Sequence, residues 1–228
     1  MFRTLLVLSL FAIGFNAHAL DLSDISSTEA TGGLRDALTQ AAGTAVGNLG
    51  KADGFLGNPK VKIPLPDNLR KAEKLMRLAG MGDQADELVT SMNRAAEAAV
   101  PEAKALLVES VRNISVEYAK AVLTGGDNAA TKYFKKTTSK PLAEKFLPIV
   151  QKATEKVALA QQYNKFAGAA ASYGLVKKDQ TTLEQYVTQK ALDGLYTMMA
   201  EEEKAIRKNP VGATSSLVKK VFGAMAGN

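Results

Sequence analysis

The stretch LEQYVTQKALDGLYTMMAEEEKAIRK, residues 183–208, decides the fold of this chain. Its apolar side chains recur at helical spacing and cover most of the helix circumference: Leu183, Tyr186, Val187, Ala191, Leu192, Leu195, Tyr196, Met198 and Met199. A helix that is apolar nearly all round is buried by its neighbours. The sequence therefore predicts a long buried helix. Its last turns, EEEKAIRK, are predicted to be solvated, with an i,i+4 salt bridge between Glu203 and Arg207.

The rest of the chain carries start and stop signals for further helices. Predicted helix starts are the capping boxes Ser26-x-x-Glu29 and Thr181-x-x-Glu184, and Ser139 with the nearby Pro141. A helix that passes Pro101 is predicted to run to Leu123. Gly43 and Gly47 are four residues apart in the first helix and predict a close approach by another helix. These signals predict an all-α, single-domain, multi-helix bundle over residues 20–228.

One segment does not fit a helix: NPKVKIPLP, residues 58–66, which we call the strap. Its three prolines favour an extended backbone at their own positions and at the residues before them. Alternation would place Val61, Ile63 and Leu65 on one side and Lys60 and Lys62 on the other. We predict a short extended Pro-rich strap laid across the helices. The alternative is an exposed edge to which a partner's strand adds, although Pro64 and Pro66 remove hydrogen-bond donors from such an edge.

Residues 1–19, MFRTLLVLSLFAIGFNAHA, have the three parts of a signal peptide. Arg3 supplies the positive charge, an apolar run follows, and Ala17-His18-Ala19 is an A-x-A cleavage site. The apolar run is too short to span a bilayer as a helix, and no later run approaches that length. We therefore predict a periplasmic protein, secreted through a cleaved signal peptide, without a transmembrane segment in its mature form.

Composition excludes several kinds of chemistry. The chain has no Cys and no Trp, and its one His, His18, lies in the predicted signal peptide. The mature chain would therefore lack Ser-His-Asp and Cys-His nucleophiles, zinc sites of the usual Cys/His kind, and haem held by His or Cys. No phosphate-binding loop or dinucleotide fingerprint occurs. We predict that the chain is not an enzyme, and we predict no cofactor, no metal site and no catalytic residue.

The second half of the chain combines basic and aromatic residues. Residues 101–228 carry 19 Lys and Arg against 12 Asp and Glu, and all six tyrosines lie there. A Tyr-, Phe- and Met-rich helical core with a lysine rim suits an acyl chain with an anionic head group. The alternative is an ordinary aromatic core with a solvated lysine surface. The candidate ligand-binding residues are Tyr133, Phe134, Lys136, Tyr186, Lys190, Asp193 and Tyr196.

Lys190 and Asp193 belong to this set because they lie three residues apart on the predicted buried helix, where their side chains can meet. The pair would be either a polar site in a dry pocket or a structural ion pair that satisfies itself. A secreted protein of modest net charge gives little reason to expect nucleic acid, and none is predicted as a partner.

Several ordered segments together resemble a bacterial envelope family called domain of unknown function 4197. These segments are DGFLGNPKVKIPLPDNL, NRAAEAAVPEAKALL, LTGGDNAATKYFKKTTSKPLAEKFLPIV, YVTQKALDGLYTMMAEEEKAIRKNP and KKVFG. The resemblance covers almost all of the predicted mature chain. It implies a secreted, helical, single-domain protein, and it brings no activity and no catalytic residue.

These observations predict a periplasmic helical binding protein that holds a lipid or another amphipathic small molecule. The alternative is a structural or interaction protein that docks on another cell-envelope protein. An internal cavity would favour the first, and an exposed apolar patch beside the strap would favour the second.

Overall fold

The computed structural model describes residues 25–226, apart from 68, 71–76, 79, 81, 157, 159, 162 and 165–181. The predicted signal peptide at residues 1–19 lies outside the described residues. The described part of the chain is helical and contains no strand, which confirms the all-α prediction. No helix in it is both long enough and apolar enough to cross a membrane.

The helices run in the order α1 (Ser27–Leu49), α2 (Gly82–Ala99), α3 (Ala103–Arg112), α4 (Val116–Leu123), α5 (Ala129–Thr154), α6 (Leu183–Lys208) and α7 (Ser216–Ala226). Short 3₁₀ turns at Val100–Glu102 and Pro210–Gly212 precede α3 and follow α6. The long helix α6 packs against α1, α2, α5 and α7, so the predicted buried helix occupies the centre of the bundle.

The helices α1 and α6 both begin with a capping box, but the box of α6 lies one residue later in the chain than predicted. Ser26 caps α1 with Glu29, as predicted. For α6 the box consists of Thr182 and Gln185: the Thr182 hydroxyl accepts from the Gln185 N–H, and the Gln185 side chain accepts from the Thr182 N–H, each at 3.2 Å. The predicted Thr181–Glu184 box is therefore wrong, and Glu184 has other partners, described below.

Two predicted helix boundaries in the middle of the chain are also wrong. Ser139 does not start a helix, because α5 continues through Pro141 and Pro148 and the Ser139 hydroxyl donates to the carbonyl of Lys135 one turn earlier. An internal proline costs a helix about 3 kcal/mol, which the extensive packing of α5 on α6 and α2 offsets here. The helix predicted to reach Leu123 is broken before α4, because Ser115 caps α4 by accepting from the Tyr118 N–H at 3.2 Å.

The close helix approach predicted at Gly43 and Gly47 occurs elsewhere. A Cβ atom at either glycine would meet nothing within 4 Å. A Cβ atom at Gly33 would lie 2.6 Å from Cγ2 of Val221. The first turns of α1 therefore carry the close contact, and α7 is the helix that makes it.

One face of the last turns of α6 is buried, whereas Lys204, Ala205 and Lys208 are exposed as predicted. The Glu203–Arg207 salt bridge forms as predicted, with an N–O distance of 2.9 Å, but the two side chains are only 4% and 10% exposed. The Glu203 carboxylate also accepts the N–H groups of Ala130 and Thr131 at the start of α5. Arg207 donates to carbonyls at the end of α4, those of Val122 and Leu123. This pair therefore joins the end of one helix to the beginning of the next.

Candidate functional site

Three of the predicted ligand-binding residues fill the core. Phe134 is completely buried, and Tyr186 and Tyr196 are 7% and 4% exposed. The Tyr196 hydroxyl is hydrogen-bonded to Thr138 at 2.8 Å, and the Tyr186 hydroxyl donates to the carbonyl of Pro64 at 3.0 Å. Burial raises the pKa of Tyr196 and raises the pKa of Tyr186 to about 12, so both phenols are protonated at neutral pH. Their polar ends have internal partners.

Lys190 and Asp193 do not pair with each other. Asp193 accepts from Lys135 at 3.3 Å and from Gln189 at 3.2 Å. The Lys190 ammonium lies 5.8 Å from the centre of the Tyr186 ring, a cation–π distance. Both side chains are half-buried on α6. The dry polar pocket that their spacing suggested is therefore not formed by these two residues.

Tyr133 and Lys136 lie at the surface of α5. The Tyr133 ring is 4.7 Å from the Tyr118 ring on α4 and 6.0 Å from the Phe134 ring, measured between centroids. Lys136 is exposed. The seven predicted residues therefore form separate groups rather than one pocket, and their role in ligand binding stays a prediction.

The strap lies across the helices with the predicted alternation of its side chains. Val61, Ile63 and Leu65 are buried, while Lys60 and Lys62 are exposed. The second half of the strap, residues 62–66, has no regular secondary structure. Its first half is a turn, because the Asn58 carbonyl accepts the N–H groups of both Val61 and Lys62.

Two buried polar side chains of α2 fix this region. Asn93 is fully buried and bridges the backbone of Ile63, accepting its N–H at 2.8 Å and donating to its carbonyl at 2.9 Å. Glu97 is 5% exposed and accepts the N–H groups of Phe55 and Leu56 at 3.0 and 3.1 Å. Asn93 therefore pairs the backbone groups that an edge strand would offer to a partner at Ile63.

An open groove follows the seam between α5 and α6. Its lining is mostly apolar, its volume is about 260 Å³, and its lining residues are Ala143, Glu144, Leu147, Gln185, Thr188 and Gln189. Thr188 is 5% exposed, and its hydroxyl has no hydrogen-bond partner. A buried hydroxyl without a partner costs about 1–3 kcal/mol. Among the described residues, Thr188 therefore carries a buried polar group without a hydrogen-bond partner at the edge of this groove.

One turn further along the same two helices, the seam widens and becomes polar. This second section has a volume of about 620 Å³, and its lining residues are Gln151, Lys152, Thr154, Glu155, Ala160, Gln161, Asn164 and Glu184. The Glu184 carboxylate accepts from the Asn164 amide at 3.0 Å and from the Thr154 hydroxyl at 3.2 Å. Lys152 is exposed at its edge. We call these two neighbouring cavities together the α5–α6 groove: the first is mostly apolar, and the second is polar and is also bounded by residues of the segment after α5, among them Ala160 and Asn164.

The enclosed space between α1, α6 and α7 is much smaller. It has a volume of about 10 Å³ and is bounded by residues that include Leu34, Ile206 and Phe222. Such a space holds one water molecule at most. Across the described ranges, no group of three or more His, Cys, Asp or Glu side chains is placed to hold a metal ion.

Sequence reasoning missed the α5–α6 groove. Its apolar lining residues, Ala143 and Leu147, lie between Pro141 and Pro148 of α5, shortly after the helix start that was wrongly predicted at Ser139. Thr188 carried a weak signal: it is a polar residue between Val187 and Ala191, in the apolar stretch of α6. Nothing in the local pattern showed that its hydroxyl would lack a partner.

Comparison with known proteins gives one match. The family model described as "Protein of unknown function (DUF4197)" matches residues 24–223. No curated protein and no solved structure matches the chain.

Proposed function

We propose that this chain, which belongs to the DUF4197 family, is a binding protein that holds an amphipathic small molecule in the α5–α6 groove. The observation that carries the proposal is the buried, unpaired hydroxyl of Thr188 in an apolar groove. Proteins pair their buried polar groups almost without exception, so an unpaired one calls for a partner from outside the chain.

The two sections of the groove fit the two parts of such a ligand. An acyl chain lying against Ala143 and Leu147 would remove apolar surface from water, at about 25 cal/mol for each Å² buried. A polar head group would occupy the wider section, where Lys152 supplies a cation. The volume of that section, about 620 Å³, lies in the range of ~300–1,000 Å³ that is usual for small-molecule sites.

The ligand site therefore differs from the core site that composition suggested. Phe134, Tyr186 and Tyr196 are packed core residues that do not line the groove, and the groove lies on the surface of the bundle. The proposal assigns no catalytic role to any residue. It keeps the periplasm as the place of action, which is supported by the signal-peptide pattern of residues 1–19.

The test is a titration of the mature chain with cis-parinaric acid, a fatty acid whose fluorescence rises on binding. We expect saturable binding to the wild-type chain and its loss in Ala143→Phe, because the new ring fills the apolar section. Ala153→Phe is the matched control, since Ala153 is exposed on the same helix and is absent from the groove lining. Equal binding by Ala143→Phe and the wild type would refute the groove as the site.

Native mass spectrometry of the protein purified gently from its own periplasm would then identify the ligand. An additional extractable mass that is absent from Ala143→Phe supports the proposal. A second polypeptide that remains attached to both forms would instead favour the alternative, in which the chain docks on another envelope protein.

A further inference from the structure

The outer face of α5 carries a row of lysines. Between Ala129 and Ala143 the helix contains four lysines and no acidic residue. Lys135 points towards α6 and pairs with Asp193. The other three, Lys132, Lys136 and Lys140, are exposed and spaced four residues apart, so they share one face over about 12 Å of helix. No acidic group in the described residues lies within salt-bridge distance of these three.

This row differs from lysines elsewhere on the molecule that do have carboxylate partners. Lys60 pairs with Glu201, Lys204 with Asp127 and Lys220 with Glu29. A row of like charges without salt-bridge partners repels itself and attracts anions. Its charge is therefore available to an external partner.

A pair of tyrosines, one exposed and one half-buried, borders the row. The half-buried Tyr133 lies between Lys132 and Lys136 in the sequence, and its ring is in tilted contact with that of Tyr118, which is 40% exposed. Tyrosine suits the boundary between membrane and water because its ring is apolar and its hydroxyl is polar. Lysine and tyrosine on one surface are the combination that binds the head-group region of an anionic bilayer.

The geometry of the rings argues against nucleic acid as the partner. A base stacks on an open aromatic face. Here the Tyr133 ring is packed between the rings of Tyr118 and Phe134, at centroid distances of 4.7 and 6.0 Å. Three lysines also supply few phosphate contacts for an interaction that depends on many of them.

We propose that the face of α5 formed by Lys132, Lys136 and Lys140, together with Tyr118 and Tyr133, docks the protein on an anionic lipid bilayer. The inference goes beyond the proposed function and does not depend on the α5–α6 groove. The two are adjacent, because Lys140 precedes the groove residue Glu144 by one helical turn. A bilayer bound at this face would therefore lie next to one end of the groove.

Sedimentation with vesicles provides the test. The mature chain is mixed with vesicles of phosphatidylglycerol and phosphatidylcholine, or of phosphatidylcholine alone. We expect binding to the anionic vesicles only, and loss of that binding at high salt, because the Debye length falls from about 10 Å at 0.1 M to about 3 Å at 1 M. The triple variant Lys132→Gln, Lys136→Gln, Lys140→Gln should bind at least about tenfold more weakly, since each lysine near an anionic surface contributes about fivefold.

The matched control is a triple variant with the same loss of charge at other exposed lysines: Lys51→Gln, Lys104→Gln and Lys208→Gln. It should keep most of the binding. Equal weakening of the two triple variants would show a nonspecific charge effect and overturn the assignment of this face. Absence of wild-type binding to anionic vesicles, with binding to an acidic protein or to nucleic acid instead, would overturn the choice of a bilayer.

A tryptophan reporter locates the contact. The chain has no Trp, so Tyr118→Trp introduces a single one. Its emission should shift to shorter wavelength with anionic vesicles, as the ring enters the head-group region. Ala52→Trp, at an exposed turn after α1, should show no shift. The reverse pattern would place the contact elsewhere and refute the proposed face. Because Ala143→Phe leaves all three lysines in place, it should still bind vesicles even if it no longer binds the fatty acid.

Discussion

The two sides of α6 differ in how their buried polar groups are hydrogen-bonded. On the strap side, the Tyr186 hydroxyl is hydrogen-bonded to Pro64, and on α2 the buried Asn93 and Glu97 side chains are bonded to the backbone of the strap and of the segment before it. On the α5 side, the Thr188 hydroxyl is buried without a partner. A satisfied polar network fixes a structure, whereas an unsatisfied buried group calls for an explanation. The comparison therefore separates a side of α6 on which these groups are paired from the side on which we propose the ligand site.

The Thr188 hydroxyl, which lacks a hydrogen-bond partner, lies in the groove and does not represent the whole seam between α5 and α6. Farther along the same seam, Thr138 and Glu203 are buried and fully engaged with neighbouring groups. In the described residues the other unpaired buried polar side-chain atom is Arg35 Nε, but the guanidinium of Arg35 is held by the carbonyl of Ile114 at 2.8 Å. Thr188 has no such second contact. Four predictions test this contrast.

The largest effect is expected where the network is most buried, at Glu203. Glu203→Gln removes the charge that Arg207 pairs with, in a site where the two side chains are 4% and 10% exposed. Breaking a buried ion pair costs about 3–5 kcal/mol, because the remaining charge has no counter-ion. Urea unfolding should show a loss of this size in the free energy of unfolding.

Glu201→Gln is the control, two residues away on the same helix. Its pair with Lys60 is exposed, and such pairs contribute about 0–1 kcal/mol. Similar losses in the two variants would mean that the last turns of α6 are solvated, as the sequence first suggested.

Glu203 also shows what the sequence could and could not predict. The run of three glutamates is typical of a solvated helix end, and the salt bridge with Arg207 follows from spacing alone. The burial signal was present, because Met199, Glu203 and Ile206 continue one buried stripe at helical spacing. The backbone groups that Glu203 binds lie 72 and 73 residues away, and no local pattern identifies them.

The same distinction between features set by near neighbours in the chain and features set by distant contacts applies to the rest of the molecule. Helix identity, the capping box at Ser26 and the alternation of the strap depend on near neighbours in the chain, so the sequence predicts them. The Asn93 bridge to Ile63 spans 30 residues, and the groove combines two helices separated by a long connection. Packing between distant segments determines these features, which is why the sequence analysis did not bring the lining residues of the groove together.

The second prediction concerns the strap side of α6, where a substitution of Asn93 removes its hydrogen bonds. Asn93→Ala would leave the N–H and the carbonyl of Ile63 buried without partners. Each unsatisfied group costs about 1–3 kcal/mol, so we expect a loss of about 2–4 kcal/mol in urea unfolding. Hydrogen exchange at the Ile63 amide should also be faster in this variant than in the wild type. Thr90→Ala, exposed on the same helix, should change the free energy of unfolding by less than about 0.5 kcal/mol.

The third prediction probes how tightly the strap region packs on α6. A Cβ atom at Gly194 would lie 2.6 Å from the Phe55 ring and 3.3 Å from Cβ of Val61. Gly194→Ala should therefore destabilise the protein by about 1–3 kcal/mol through overpacking. Gly47→Ala should have the opposite sign and stabilise α1 by about 0.5–1 kcal/mol, because a Cβ atom there meets nothing within 4 Å. A stabilising Gly194→Ala in thermal unfolding would show that this side is loosely packed.

The smallest effect on stability, and the sharpest test of the comparison, comes from two threonines of the α5–α6 seam. Thr138→Val removes a hydroxyl that is hydrogen-bonded to Tyr196 and to the carbonyl of Phe134, and should cost about 1 kcal/mol. Thr188→Val has nearly the same shape and removes a hydroxyl with no partner, so the free energy of unfolding should stay the same or rise slightly.

For ligand binding, the two variants should rank in the opposite order. Thr188→Val should weaken the binding of cis-parinaric acid, because the polar group that the ligand satisfies is gone, whereas Thr138→Val should bind it as the wild type does. If Thr188→Val instead costs as much stability as Thr138→Val and leaves fatty-acid binding unchanged, the Thr188 hydroxyl has a partner within the chain. The two sides of α6 would then be alike, and the groove would lose the observation that marks it as a ligand site.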